Sequence, residues 1–142
     1  MKEAKSIEVR VERTIPASAA EVFDGWLNPK VPGNPWNAAD KLLLNPKVDG
    51  FFYWTFKGTP HYGRFTAIER PGRIQHTWMS PNTSGLESTV TVTFKEHGDA
   101  TLMTLVHSEL PDTDGGRSHE NGWNYFLGMF LEHIGAGSRR TG

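Results

Sequence analysis

Residues 99–134, DATLMTLVHSELPDTDGGRSHENGWNYFLGMFLEHI, decide the fold. Ala100 to Glu109 reads as a strand, Leu110-Pro111 breaks it, and the acidic, glycine-rich Asp112–Gly116 makes a turn. A helix follows. Trp123, Phe126, Leu127, Phe130, Leu131 and Ile134 recur at the i, i+3, i+4, i+7, i+8, i+11 spacing of one apolar face. That face is too apolar to stand in water and needs a sheet to lie against.

The preceding chain supplies the sheet. Ile7 to Arg13 alternates apolar and charged residues, as a half-buried strand does, and Pro16 stops it. Ser18 with Glu21 is a capping-box pattern opening a short helix with Val22, Phe23, Trp26 and Leu27 on its apolar side. Asn28-Pro29 ends it, and a proline-rich loop to Asp40 carries Trp36, placed by its loop setting at the rim of a site. Strands then follow one another: Lys41–Leu44, Phe51–Phe56, His61–Glu69, Arg73–Ser80, Leu86–Glu96 and the one from Ala100. Phe52, Trp54 and Phe56 share one face of their strand; Ile74, His76 and Trp78 share another; Met103, Leu105 and His107 a third. Turns this short demand antiparallel pairing. The expected fold is α+β: a seven-stranded curved antiparallel sheet around a long C-terminal helix, with a short N-terminal helix. Residues 1–142 are expected to form one domain with a loose tail at 136–142.

Composition narrows the function classes. Fifteen Lys and Arg against 16 Asp and Glu leave a formal charge of -1, so no basic field invites nucleic acid or an anionic membrane. No apolar run approaches the roughly 20 residues of a bilayer span, and no signal-peptide core follows Met1, so a cytoplasmic location is expected. There is no cysteine, hence no disulfide and no thiolate nucleophile. No metal-ligand spacing and no cofactor motif occurs; Glu109, His61 and His119 lie on separate elements. Aromatic residues reach 11%, with five Trp and eight Phe, enough either to fill a core or to wall a cavity.

The order of motifs carries a resemblance. Val90-Thr-Val-Thr-Phe94, then Thr101 to Pro111, then Gly122-Trp123 resemble the family of the activator of the ninety-kilodalton heat-shock-protein ATPase, within the START-like (SRPBCC) superfamily. Pro16 to Phe23 with Trp26 resembles that family's N-terminal helix, and Pro71 to Trp78 its central strand. The likeness covers nearly the whole chain and implies a helix-grip fold with a hydrophobic ligand cavity between sheet and helix. The sequence departs from the family in having Trp36 alone where a pair of adjacent Trp is usual, and His76 where an apolar residue is common. The eukaryotic activator is also longer, with this domain as one of two.

From these features we expect a small-molecule binding protein for an apolar or aromatic ligand. Trp26, Phe52, Trp54, Phe56 and Trp78 would line the cavity with Met103 and Leu105; the helix would add Trp123, Phe126, Leu127 and Phe130, and the loop Trp36. Burying each ring contributes roughly 1.5–3 kcal/mol, so a filled core explains the same residues. His76 and His107 would give the polar contacts, or sit as core histidines satisfied by their neighbours. His119, one turn before Trp123, belongs at the cavity mouth or faces water as a helix-start residue. Tyr125 and Met129 form a shoulder that a second copy would cover, or an ordinary solvent-facing pair. Two alternatives stay open: a co-chaperone-like module stimulating a heat-shock ATPase, and a cyclase- or dehydratase-type enzyme using a cavity histidine. Nucleophilic catalysis has no motif behind it.

Overall fold

A computed structural model describes residues 6–141, with side chains described up to Ile134. The elements run β1 (Ser6–Ile15), α1 (Ala19–Leu27), β2 (Lys41–Leu44), β3 (Phe51–Phe56), β4 (Thr59–Glu69), β5 (Arg73–Trp78), β6 (Ser88–His97), β7 (Ala100–Pro111), α2 (Asp114–Arg117) and α3 (His119–Thr141). The seven strands form one sheet in the order β1-β7-β6-β5-β4-β3-β2, antiparallel throughout. The chain therefore meanders from β2 to β7, and β1 closes the far edge. Helices α1 and α3 lie on the concave face: Trp26 of α1 and Trp123, Phe126, Leu127 and Phe130 of α3 join Ile74, Val90, Val92, Met103 and Leu105 of the sheet in one core. This is the expected helix-grip architecture. Of the expected tail at 136–142, the backbone to Thr141 belongs to α3, and its side chains and Gly142 lie outside the described residues.

Local sequence explains the element ends. Ser18 caps α1, its Oγ accepting from the Glu21 amide at 3.2 Å and donating to the Glu21 carboxylate at 3.1 Å. Two differences from the sequence reading stand out. Leu110-Pro111 does not break β7: Leu110 still pairs with Ile7 and Pro111 with Ser6. The irregularity is a bulge one step earlier, where Glu109 takes φ 63° and three steps of β7 match two of β1. Pro111 is tolerated because it is the final strand residue. The Asp112–Gly116 turn, in turn, includes the start of a single helical turn, α2, capped by the Thr113 hydroxyl accepting from Gly116 N at 3.0 Å.

The proline-rich loop is packed down rather than held open. Gly33 lies at φ 101° with its Cα so close to α3 that a Cβ would sit 2.7 Å from the Met129 carbonyl carbon. Asn34 is fully buried and donates to the Gly25 and Asn28 carbonyls at 2.7 and 2.8 Å, closing the C-terminal end of α1. Trp36 therefore points inward and is buried, with its ring 5.0 Å from Phe52 and 6.0 Å from His76. The departure from the rim has a plain cause: Gly33 and Asn34 tie the loop to both helices.

Candidate functional site

Rings and aliphatic chains fill most of the hollow under α3. Trp26 meets Phe130 edge-on at 5.2 Å, and Phe52 meets His76 edge-on at 5.1 Å. Trp26, Trp36, Phe52, Met103, Leu105, Leu127 and Phe130 are all buried, and none of them faces the cleft described next. The hollow is open where the first turns of α3 approach the β3–β4 hairpin and the end of β5. There a cleft of about 190 Å³ is walled by Trp54, Phe56, Trp78, Trp123 and Phe126. His61 and His119 are its polar wall, and Asn82, Ser118 and Gly122 stand at its rim. Of the residues expected to hold a ligand, the structure brings those five rings and His119 together at the cleft; His76 and His107 lie behind it.

His107 and His119 are fixed by a chain of hydrogen bonds that joins α2 and α3 to the sheet. Trp123 Nε1–H donates to His107 Nδ1 at 3.0 Å, so His107 carries its proton on Nε2 and donates it to Ser88 Oγ at 2.7 Å. Ser88 passes its own hydroxyl hydrogen to the Trp78 carbonyl at 2.7 Å. Trp78 Nε1–H donates to His119 Nε2 at 3.3 Å, and His119 Nδ1 donates to the Gly115 and Gly116 carbonyls at 2.9 and 3.1 Å. Both rings of the chain are thus neutral donors on one nitrogen and acceptors on the other. Burial drives the His107 pKa well below 6.5, helped by the neighbouring His119 and His76. His119 is lowered too, chiefly by burial, with its two carbonyl partners opposing.

The comparisons with known proteins bear on what this arrangement is. A family model described as Activator of Hsp90 ATPase homolog 1-like protein matches residues 16–135. The chain belongs to that family. No curated protein matches the sequence. Among solved structures, DynU16, from the dynemicin biosynthetic locus, superposes with a TM-score of 0.77 at 20% identity, over 92% of this chain and 48% of its own. An Hsp90 activator from Plasmodium falciparum superposes at 0.72 with 22% identity, over 86% of this chain and 91% of its own. The Aha1 dimer from Colwellia psychrerythraea superposes at 0.73 with 14% identity, over 91% and 98%. At these identities the likeness is one of fold. The chain spans about half the length of DynU16, the other two nearly whole.

The sequence suggests His61 only as a metal ligand, not as part of a ligand cleft. The residue is buried against Trp54, ring centroids 4.2 Å apart, and donates from Nδ1 to the Trp54 carbonyl at 3.3 Å. Burial lowers its pKa to about 4. The signal was present, since His61, Gly63, Phe65 and Ala67 are all buried on one face of β4 with a period of two. His76, also held at about 4 by burial, donates from Nδ1 to the Thr77 carbonyl at 2.9 Å. Glu109 turns away to accept from Thr89 Oγ1 at 2.7 Å. Among the described residues no three His, Cys, Asp or Glu side chains converge on a metal position, and no helix is long and apolar enough to cross a membrane.

The convex face has its own feature. Leu43, Phe51 and Tyr62 are 70%, 69% and 46% exposed along a groove beside the edge strand β2. Tyr125, read from the sequence either as a shoulder for a second copy or as a solvent-facing residue, is exposed as well.

Proposed function

We propose that this family member is a binding protein for a small aromatic molecule held in the cleft at the start of α3. One observation carries the reading: in a hollow otherwise packed with rings, five aromatic walls surround space that no side chain occupies. A cavity of roughly 150 Å³ lined by apolar groups suffices for benzene, so about 190 Å³ suits one substituted ring rather than a lipid. The likeness to a protein of the dynemicin biosynthetic locus fits a small-molecule role. The reading is of a binder rather than a catalyst, because both nitrogens of His107 and of His119 are engaged and a pKa of about 4 leaves His61 a hydrogen-bond acceptor but a weak base.

The test is a titration with single-ring compounds followed by the indole N–H resonances of Trp54, Trp78 and Trp123. Saturable shifts confined to those residues are expected. Spectra unmoved by every compound would remove the reading.

A second reading, self-association through the convex face, draws on the exposed Leu43, Phe51 and Tyr62 and on the dimeric relative from Colwellia psychrerythraea. Sedimentation of the protein against Phe51→Lys decides it: a dimer that dissociates on substitution supports the reading, and a wild-type monomer at every concentration ends it. A heat-shock ATPase as partner rests on the family description and on the Plasmodium falciparum activator, and stimulation of such an ATPase by this chain is its direct assay.

A further inference from the structure

The polar inventory of the cleft specifies more than an aromatic ligand. Among the described residues, every nitrogen of the histidines and indoles that line it can be traced to a partner, with two exceptions. The Trp123 and Trp78 N–H groups are taken by His107 and His119, and His119 Nδ1 by two backbone carbonyls. The Trp54 and Thr59 backbone carbonyls face the His61 ring, Nδ1 reaching the first at 3.3 Å, and among the described residues no hydrogen bond within 3.5 Å engages Nε2. Trp54, on which His61 lies, carries a buried indole N–H that also has no partner.

Because Nδ1 holds the hydrogen, His61 Nε2 offers a lone pair and nothing else. Burial keeps that ring neutral at pH 7. The group that satisfies it is a donor. A hydroxyl does so and can accept from an indole N–H at the same time; an ether or a carboxylate cannot donate. The lining contains no Lys or Arg to neutralise an anion. An acid would therefore be taken out of water beside a lone pair and receive no compensating charge. Outside the lining, the nearby cation is Lys57, whose Nζ lies 5.4 Å from the centre of the Phe56 ring.

We propose that the cleft selects neutral single-ring hydroxyl compounds, phenols above all, with the hydroxyl hydrogen donated to Nε2 of His61. The inference rests on the reading of the cleft as an aromatic-ligand site and adds the head group it recognises.

The experiment is a set of three titrations of the whole protein at pH 7, with phenol, anisole and benzoate, read by the cleft indole resonances. Phenol and anisole share the ring and the oxygen and differ in the hydrogen. One hydrogen bond to a buried neutral acceptor gives phenol about a tenfold tighter Kd than anisole. Benzoate binds more weakly than either. In His61→Phe the preference for phenol over anisole disappears while anisole still binds. Anisole binding as tightly as phenol to the wild-type protein, or benzoate binding best, overturns the proposal and leaves the aromatic cleft standing. Silence toward all three overturns both. The wild-type series is decisive by itself should the variant fold poorly.

Discussion

Trp123 donates its indole N–H to Nδ1 of His107 across 3.0 Å, and that single bond fixes which nitrogen of the imidazole holds the proton. The consequence runs on through Ser88 to the Trp78 carbonyl and ties α3 to β5, β6 and β7. Trp123→Phe keeps most of the ring and removes the donor. The buried Nδ1 is then unsatisfied, and we expect a loss of about 1–3 kcal/mol in urea unfolding. In the wild-type protein, nitrogen chemical shifts of His107 should report the Nε2–H tautomer. A neutral substitution, or the opposite tautomer, would show that the chain of bonds does not hold the ring.

Acid should weaken the fold earlier than its carboxylates would. His61 and His76 have folded pKa values near 4 against 6.5 unfolded, and His107 and His119 are lowered as well, each mainly by burial. Between those limits the unfolded chain binds more protons than the folded one, so unfolding is favoured as pH falls. Their stabilisation is complete above 6.5, declines from there, and is exhausted once pH passes below the folded values. Each such histidine adds a slope of up to about 1.4 kcal/mol per pH unit inside the window. The shifted carboxylates, Glu12 and Asp24, are lowered from 4.5 and 3.8 and act in the same direction at lower pH. Melting temperatures at pH 7, 6 and 5 should fall steadily; a flat series would contradict the buried neutral rings.

The fold was legible because its signals are periodic. Alternation on β3, β5 and β7 and the 3.6-residue stripe of α3 both come from how side chains leave a backbone, and both need only the order of residues. The site was less legible because an identical alternation marks a wall and a filling. Phe52 and Trp54 lie two apart on the same face of β3, yet the first is packed beneath Trp36 and the second borders open space. What separates them is the path of the loop 28–40, set by Gly33 and Asn34 through contacts on other elements. The same holds for His107 and His61. Both face inward, but Trp123 and Ser88 use up the first, and only its partners in space reveal that.

Asn34 should prove one of the costlier loop positions to change. Its amide nitrogen serves the Gly25 and Asn28 carbonyls, and its oxygen accepts from the Asn37 amide at 2.9 Å. Asn34→Ala strands those buried groups and should cost about 2 kcal/mol. Asn34→Asp is worse than deletion, because it sets a carboxylate against two carbonyl oxygens in a buried place; about 3 kcal/mol or more is expected. Thermal unfolding of the pair checks the order. Asp tolerated as well as Ala would mean that the loop is not clamped through this side chain, and would reopen the question of what turns Trp36 inward.

Gly122 allows the cleft to be closed without disturbing anything packed. It lies at the cleft rim on α3, and a Cβ there meets no atom within 4 Å. Gly128, on the same helix, is equally unobstructed but does not border the cleft. Replacing either by Ala removes glycine's excess backbone entropy and should stabilise the protein by about 0.5–1 kcal/mol. Gly122→Leu goes further and lays a branched chain over the mouth. The expected pattern is a fold at least as stable as the wild type, together with loss of the indole shifts that anisole produces in the wild-type protein. Gly128→Leu keeps those shifts and serves as the control. If both leucine variants bind anisole like the parent, the ligand enters somewhere other than between Trp78 and Trp123, and the start of α3 is not its doorway.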